Sequence, residues 1–99
     1  MSRLNEQQIG IRLRALPHWS KKDQTISRKF GFKDFLDSID FVNRVAKIAE
    51  ENDHHPDIEI HWNKVTLSLT THSENGLTEK DFNLALECEK VFLEFLKTI

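Results

Sequence analysis

Three histidines carry the chemistry this sequence could perform: the adjacent pair His54 and His55, and His72. Imidazole titrates near neutrality, so one such group can give a proton to a leaving hydroxyl while another takes a proton from a nitrogen. Acidic residues surround them along the chain, with Glu50, Glu51 and Asp53 before the pair and Glu74 and Asp81 after His72. A neighbouring carboxylate favours the charged form of an imidazole. A reaction that expels a hydroxyl and takes a proton from a neighbouring nitrogen needs both transfers, and this set of groups can supply them.

The residues between these groups must bring them together. Asn5 followed by Gln8 resembles a helix-capping pair, and Ile9, Leu13 and Leu16 keep helical spacing until Pro17 ends it. His18, Trp19 and Ser20, the polar stretch 21–24 and the run 25–32 read as a hairpin, with Ile26, Phe30 and Phe32 on one side. Over 33–50, Phe35, Ile39, Val42, Ala46 and Ala49 form a helical stripe widened by Leu36, Val45 and Ile48. Pro56 forbids helix beyond the histidine pair, so a bend is expected there. Thr78 with Asp81 three residues on suggests the start of a last helix, whose inner face carries Phe82, Ala85, Phe92 and Phe95 and which runs to the C-terminus.

Between bend and last helix, Ile58, Ile60 and Trp62 alternate with polar residues, as do Val65, Leu67 and Leu69, around Asn63 and Lys64. A two-residue turn at Asn63 and Lys64 would pair Trp62 with Val65, Ile60 with Leu67 and Ile58 with Leu69. Carried to the open end, that register sets His55 opposite His72 and His54 opposite Ser73. Opposed residues have Cβ atoms roughly 4.5 to 5.5 Å apart, close enough for both imidazoles to meet one small ligand. The element order is α-β-β-α-β-β-α, an α+β fold with one antiparallel sheet and helices covering its apolar face. Glu59, His61, Thr66, Ser68 and Thr70 would lie on the other face, and so small a sheet invites dimerisation along an edge.

With 99 residues the chain holds one domain, 1–99, and its 38% hydrophobic and 30% charged residues give an ordinary globular balance. A net charge of -2 offers no footprint for phosphate backbones or anionic lipid, so no direct nucleic-acid or membrane partner is expected. The lone Cys88 cannot form an internal disulfide, and the N-terminus lacks the apolar core of a signal peptide, which points to the cytoplasm.

Asp53, His54, His55 and Pro56, the turn segment Asn63, Lys64 and Val65, and Thr71 with His72 followed by Gly76, Leu77, Thr78, Glu79, Lys80 and Asp81 resemble the signature of the pterin-4a-carbinolamine dehydratases. Trp19 and the segment Phe32, Lys33, Asp34 and Phe35 extend the likeness over nearly the whole chain. The resemblance implies a four-stranded antiparallel sheet with three helices. It also implies a homodimer or homotetramer, and dehydration of 4a-hydroxytetrahydropterin to quinonoid dihydropterin in tetrahydropterin recycling. Neither a metal nor a redox cofactor is implied; the pterin is the substrate. Catalysis would fall to His54, His55 and His72, with Pro56, Thr71, Ser73 and Glu74 also contacting substrate, and Glu50, Asp53, Asp81 and Trp19 as candidates for supporting positions. Ile58 and Glu74 depart from the family, where some members carry Trp and Cys.

Other readings compete with these. His18 and His61 are assigned no role, since a single histidine is more often plain surface or core. Asp81 could simply satisfy helix N-terminal donors, Trp19 reads first as core, and Cys88 as a packed thiol. Four histidines between positions 54 and 72 raise a zinc site, but adjacent histidines rarely face one ion and no HExxH or cysteine spacing accompanies them. The alternative to an enzyme is a non-catalytic interaction module, a dimerisation or assembly cofactor on the same fold.

Overall fold

A computed structural model describes residues 2–97. The elements run α1 (Glu6–Leu13), β1 (Ser20–Lys22), β2 (Thr25–Gly31), α2 (Phe35–Glu51), β3 (Asp57–His61), β4 (Lys64–Leu69), a short 3-10 turn (His72–Glu74) and α3 (Glu79–Lys97). This is the expected α+β order, with an antiparallel sheet ordered β1-β2-β4-β3 and the core on one of its faces. Among the described residues no helix is long and apolar enough to cross a membrane. The last two residues, on which the expected continuation of the final helix falls, lie outside the described ones.

The caps read from sequence form. Asn5 accepts the Gln8 backbone N–H while the Gln8 side chain accepts from the Asn5 N–H, both at 2.8 Å, which satisfies two orphan donors of α1. A further cap, not read from sequence, is Asp34 at the start of α2, which accepts the Asp37 N–H at 2.8 Å. Ile26, Phe30, Val65, Leu67 and Leu69 face the helices, and Phe41, Phe92 and Phe95 gather around Phe30 and Phe32. Trp19 belongs to this core, donating its indole N–H to Glu89 at 2.9 Å. Arg28 breaks the apolar side of β2, yet its guanidinium lies over Phe30 and Phe92 and bonds Glu89.

Two expectations need correction. The buried face of α2 is Ser38, Phe41, Val45 and Ala49, so the stripe is rotated from the expected one: Phe41 is fully buried, while Phe35 and Leu36 are 47% and 76% exposed. Ser38 disguises the true face; its hydroxyl is satisfied within the helix by the Asp34 carbonyl at 3.1 Å. The β3–β4 turn falls at Trp62 and Asn63, and the register pairs Ile60 with Val65 and Ile58 with Leu67. A two-residue slip leaves every side chain on its own face, so alternation could not distinguish the two registers. Asn63 decides it: its carbonyl accepts the Phe32 N–H and its side-chain amide donates to the Phe32 carbonyl, each at 2.9 Å.

Candidate active site

The histidines do not meet as opposed strand residues. β3 begins at Asp57 and β4 ends at Leu69, so neither His55 nor His72 belongs to the ladder. Two local devices bring them together instead.

The first ends α2. Asp53 adopts the left-handed conformation at φ 50°, the Asp53 N–H bonds the Glu50 carbonyl at 3.2 Å, and the His54 N–H reaches back to the Ala49 carbonyl at 3.1 Å. This is the paired bonding of a Schellman cap, with Asp in the place glycine usually takes. It turns the chain sharply and fixes the His54 backbone to the helix end. The second device is the loop 71–76. Thr71 and Gly76 exchange backbone hydrogen bonds of 3.1 and 3.3 Å, and Asn75 takes the left-handed conformation at φ 54°, which suits its short polar side chain. The closed loop presents His72 and Ser73 beside the end of β4.

Together these segments line a cleft of about 350 Å³ formed by Asp53, His54, His55, Thr70, Thr71, His72, Ser73 and Lys80. All three expected histidines therefore share one cavity with Thr71 and Ser73. Pro56 and Glu74 are half-buried and are not among its lining residues, and Trp19 sits in the core. Thr70 and Lys80 line the cleft too, although neither is among the site residues expected from sequence. Lys80 left one trace there: a lysine in the first turn of a helix runs against the helix dipole.

Beneath the cleft lies a buried polar network. His54 is 9% exposed, and its Nε2 lies 2.6 Å from Oδ1 of Asp81, which is completely buried. The second carboxylate oxygen, Oδ2, accepts the Thr71 hydroxyl at 2.8 Å and the Thr78 N–H at 2.9 Å. Thr71 gives its only hydroxyl proton to Asp81, so the 2.8 Å contact between the Thr71 and Thr78 hydroxyls has Thr78 as donor. Asp81 thus performs both tasks that its position suggested, capping α3 and holding His54. As an acceptor it places a proton on Nε2 of His54, so that in the neutral imidazole the lone pair is on Nδ1. His55 is held differently, at the surface, where its Nε2 lies 2.5 Å from Glu50 Oε2. Among the described residues no three His, Cys, Asp or Glu side chains are grouped to hold a metal ion.

The model of the family described as pterin 4 alpha carbinolamine dehydratase matches residues 2–91. The chain belongs to this family. A protein of Picosynechococcus provisionally named pterin-4-alpha-carbinolamine dehydratase is 55% identical over 84 residues, 85% of this chain and 91% of its own length. One of the same provisional name from Sulfolobus acidocaldarius is 44% identical over 89 residues, covering 90% of this chain and 98% of the relative. The crystal structure of a transcriptional coactivator/pterin dehydratase from Brucella melitensis superposes with a TM-score of 0.88 at 41% identity, over 91% of this chain and 98% of that one. A pterin dehydratase-like protein described as a RuBisCO assembly factor in the alpha-carboxysome shares the fold at 20% identity and a TM-score of 0.64, over 75% of this chain and 86% of its own.

Proposed function

We propose that this member of the pterin dehydratase family dehydrates 4a-hydroxytetrahydropterin to quinonoid dihydropterin by histidine acid/base catalysis, in tetrahydropterin recycling. The observation that carries this reading is the convergence of His54, His55 and His72 on one cleft, with the His54 tautomer assigned by a buried Asp81.

The reaction removes the C4a hydroxyl and the N5 proton as one water and leaves a C4a=N5 double bond. One imidazole protonates the departing hydroxyl, another accepts the N5 proton, and exchange with solvent restores both. His54 and His72 are the proton-exchanging pair, with Nδ1 of His54 as its free atom, while His55, steadied by Glu50, holds and polarises the substrate. Ser73 supplies a hydroxyl along the cleft wall, while the Thr71 hydroxyl is committed to Asp81 and Thr78. No metal or redox cofactor enters this scheme. The resemblance also supports a dimer or dimer of dimers, for which β3, paired on one side only, offers a free edge.

Stopped-flow measurement of 4a-hydroxytetrahydropterin breakdown, corrected for the spontaneous reaction, tests the proposal. The wild type accelerates the step, and His54→Ala and His72→Ala each lose about a hundredfold, the usual order for general acid/base groups. A wild type that gives only the background rate overturns the proposal in favour of a non-catalytic interaction module.

A further inference from the structure

Lys80 is, among the described residues, the one lysine or arginine lining the histidine cleft. Two carboxylates beside the cleft are engaged by its histidines: Asp81 holds His54 and Glu50 holds His55. The Lys80 backbone N–H bonds the Thr78 hydroxyl at 3.3 Å, but its side chain has no hydrogen-bond or ion-pair partner among the described residues. Asp53 lines the same cleft without pairing to it.

Its position makes the missing partner informative. The first turn of α3 carries Glu79 and Asp81, the residue type that the positive end of a helix favours, and Lys80 stands between them. A half-buried lysine that opposes the local field and makes no ion pair among the described residues is a break in local consistency, and such breaks concentrate where a ligand binds.

We infer that Lys80 sets substrate selectivity, drawing in pterins whose side chain ends in an anionic group, a phosphate ester or a carboxylate. The inference rests on the dehydratase reading and extends it from the ring to the substituent. The ring must turn its C4a and N5 edge towards the histidines, and it carries no net charge near neutrality. The substituent on C6, next to N5, leaves the ring beside that edge and can run along the cleft wall to the ammonium. There a charge-assisted hydrogen bond forms, stronger than a neutral one.

Three 4a-hydroxytetrahydropterins sharing one ring test this: one with a neutral polyol side chain, its monophosphate ester, and one ending in a carboxylate. The readout is the ratio of kcat/KM for each anionic substrate to that for the neutral one. The wild type gives a ratio of about ten at low salt. It shrinks towards one as salt approaches about 1 M, where charges are screened over about 3 Å. Lys80→Gln brings the ratio near one, Lys80→Glu inverts it, and Lys80→Arg keeps it, so the series stays decisive if one variant fails to fold. The larger of the two anionic ratios identifies the preferred group. A wild type that turns over all three substrates with a ratio near one, or a ratio that Lys80→Gln leaves unchanged, overturns this inference alone. A wild type that turns over none of them overturns the dehydratase reading with it.

Discussion

Nε2 of His54 and Oδ1 of Asp81 lie 2.6 Å apart in a buried contact, and the other carboxylate oxygen takes the Thr71 hydroxyl and the Thr78 N–H. The carboxylate is thus divided, one oxygen for the histidine and one for the helix start. Helix capping and histidine orientation cannot be altered independently here, except by a change that keeps the shape and removes the charge.

Asp81→Asn is that change. Two donors already face Oδ2, so the amide oxygen must stay there and the NH2 group must turn towards His54. Nε2 then becomes an acceptor, and the proton moves to Nδ1, the atom needed for proton exchange. The expected outcome is a folded protein with a kcat for pterin dehydration at least about a hundredfold lower. Nitrogen chemical shifts of the His54 ring should report the exchanged tautomer. An unchanged rate alongside the exchanged tautomer would remove His54 Nδ1 from the mechanism.

The interior of α2 offers a sharper test of packing. Phe41 is fully buried, with ring centroids 4.8 Å from Phe30 and 5.0 Å from Phe32, whereas Leu36 is 76% exposed. Phe41→Ala should cost about 3–5 kcal/mol in chemical denaturation, and Leu36→Ala should stay within about 0.5 kcal/mol. Comparable losses at both sites would mean that the helix is rotated from the face described.

These two residues mark where sequence reading stopped. Element order, helix caps and the three histidines were legible because capping pairs, alternation and Pro56 act locally. The α2 face was not, because Ser38 sits on the buried side and outward Phe35 and Leu36 supply false apolar weight. The hairpin register was not, because a two-residue slip preserves the pattern and the deciding bonds come from Phe32, distant in sequence. The expected meeting of His55 and His72 as a strand pair failed with it. Their convergence depends on a Schellman turn at Asp53 and a closed loop at Thr71 and Gly76, and neither has an apolar period to read.

Cys88 gives a pH dependence with a definite sign. Burial pushes its thiol from an ordinary value of 9.0 up to about 12, so the folded chain keeps a proton that the unfolded chain releases. Below pH 9 the effect is absent. Between the two values the unfolded state is increasingly favoured, by about 1.4 kcal/mol per pH unit. Denaturation of wild type and Cys88→Ala across this range should therefore show a steeper alkaline loss in the wild type. Thiol reagents should label the native protein only as fast as it opens, and immediate labelling at pH 8 would contradict the burial.

Trp62 combines an unusual backbone with an unburied side chain. Its φ of 51° lies in the left-handed region, which costs an L-residue roughly 1–2 kcal/mol, and its side chain, 69% exposed, regains little by burial. Asparagine tolerates this conformation better, and Asn63, which fixes the turn to Phe32, would be untouched by a change next to it. Trp62→Asn should therefore keep the register and raise stability by about 0.5–1 kcal/mol, read as a higher denaturation midpoint with unchanged slope. A lower midpoint would mean that the indole makes contacts in solution that a single chain leaves open, and sedimentation of wild type and variant would then test for a second copy against the free edge of β3.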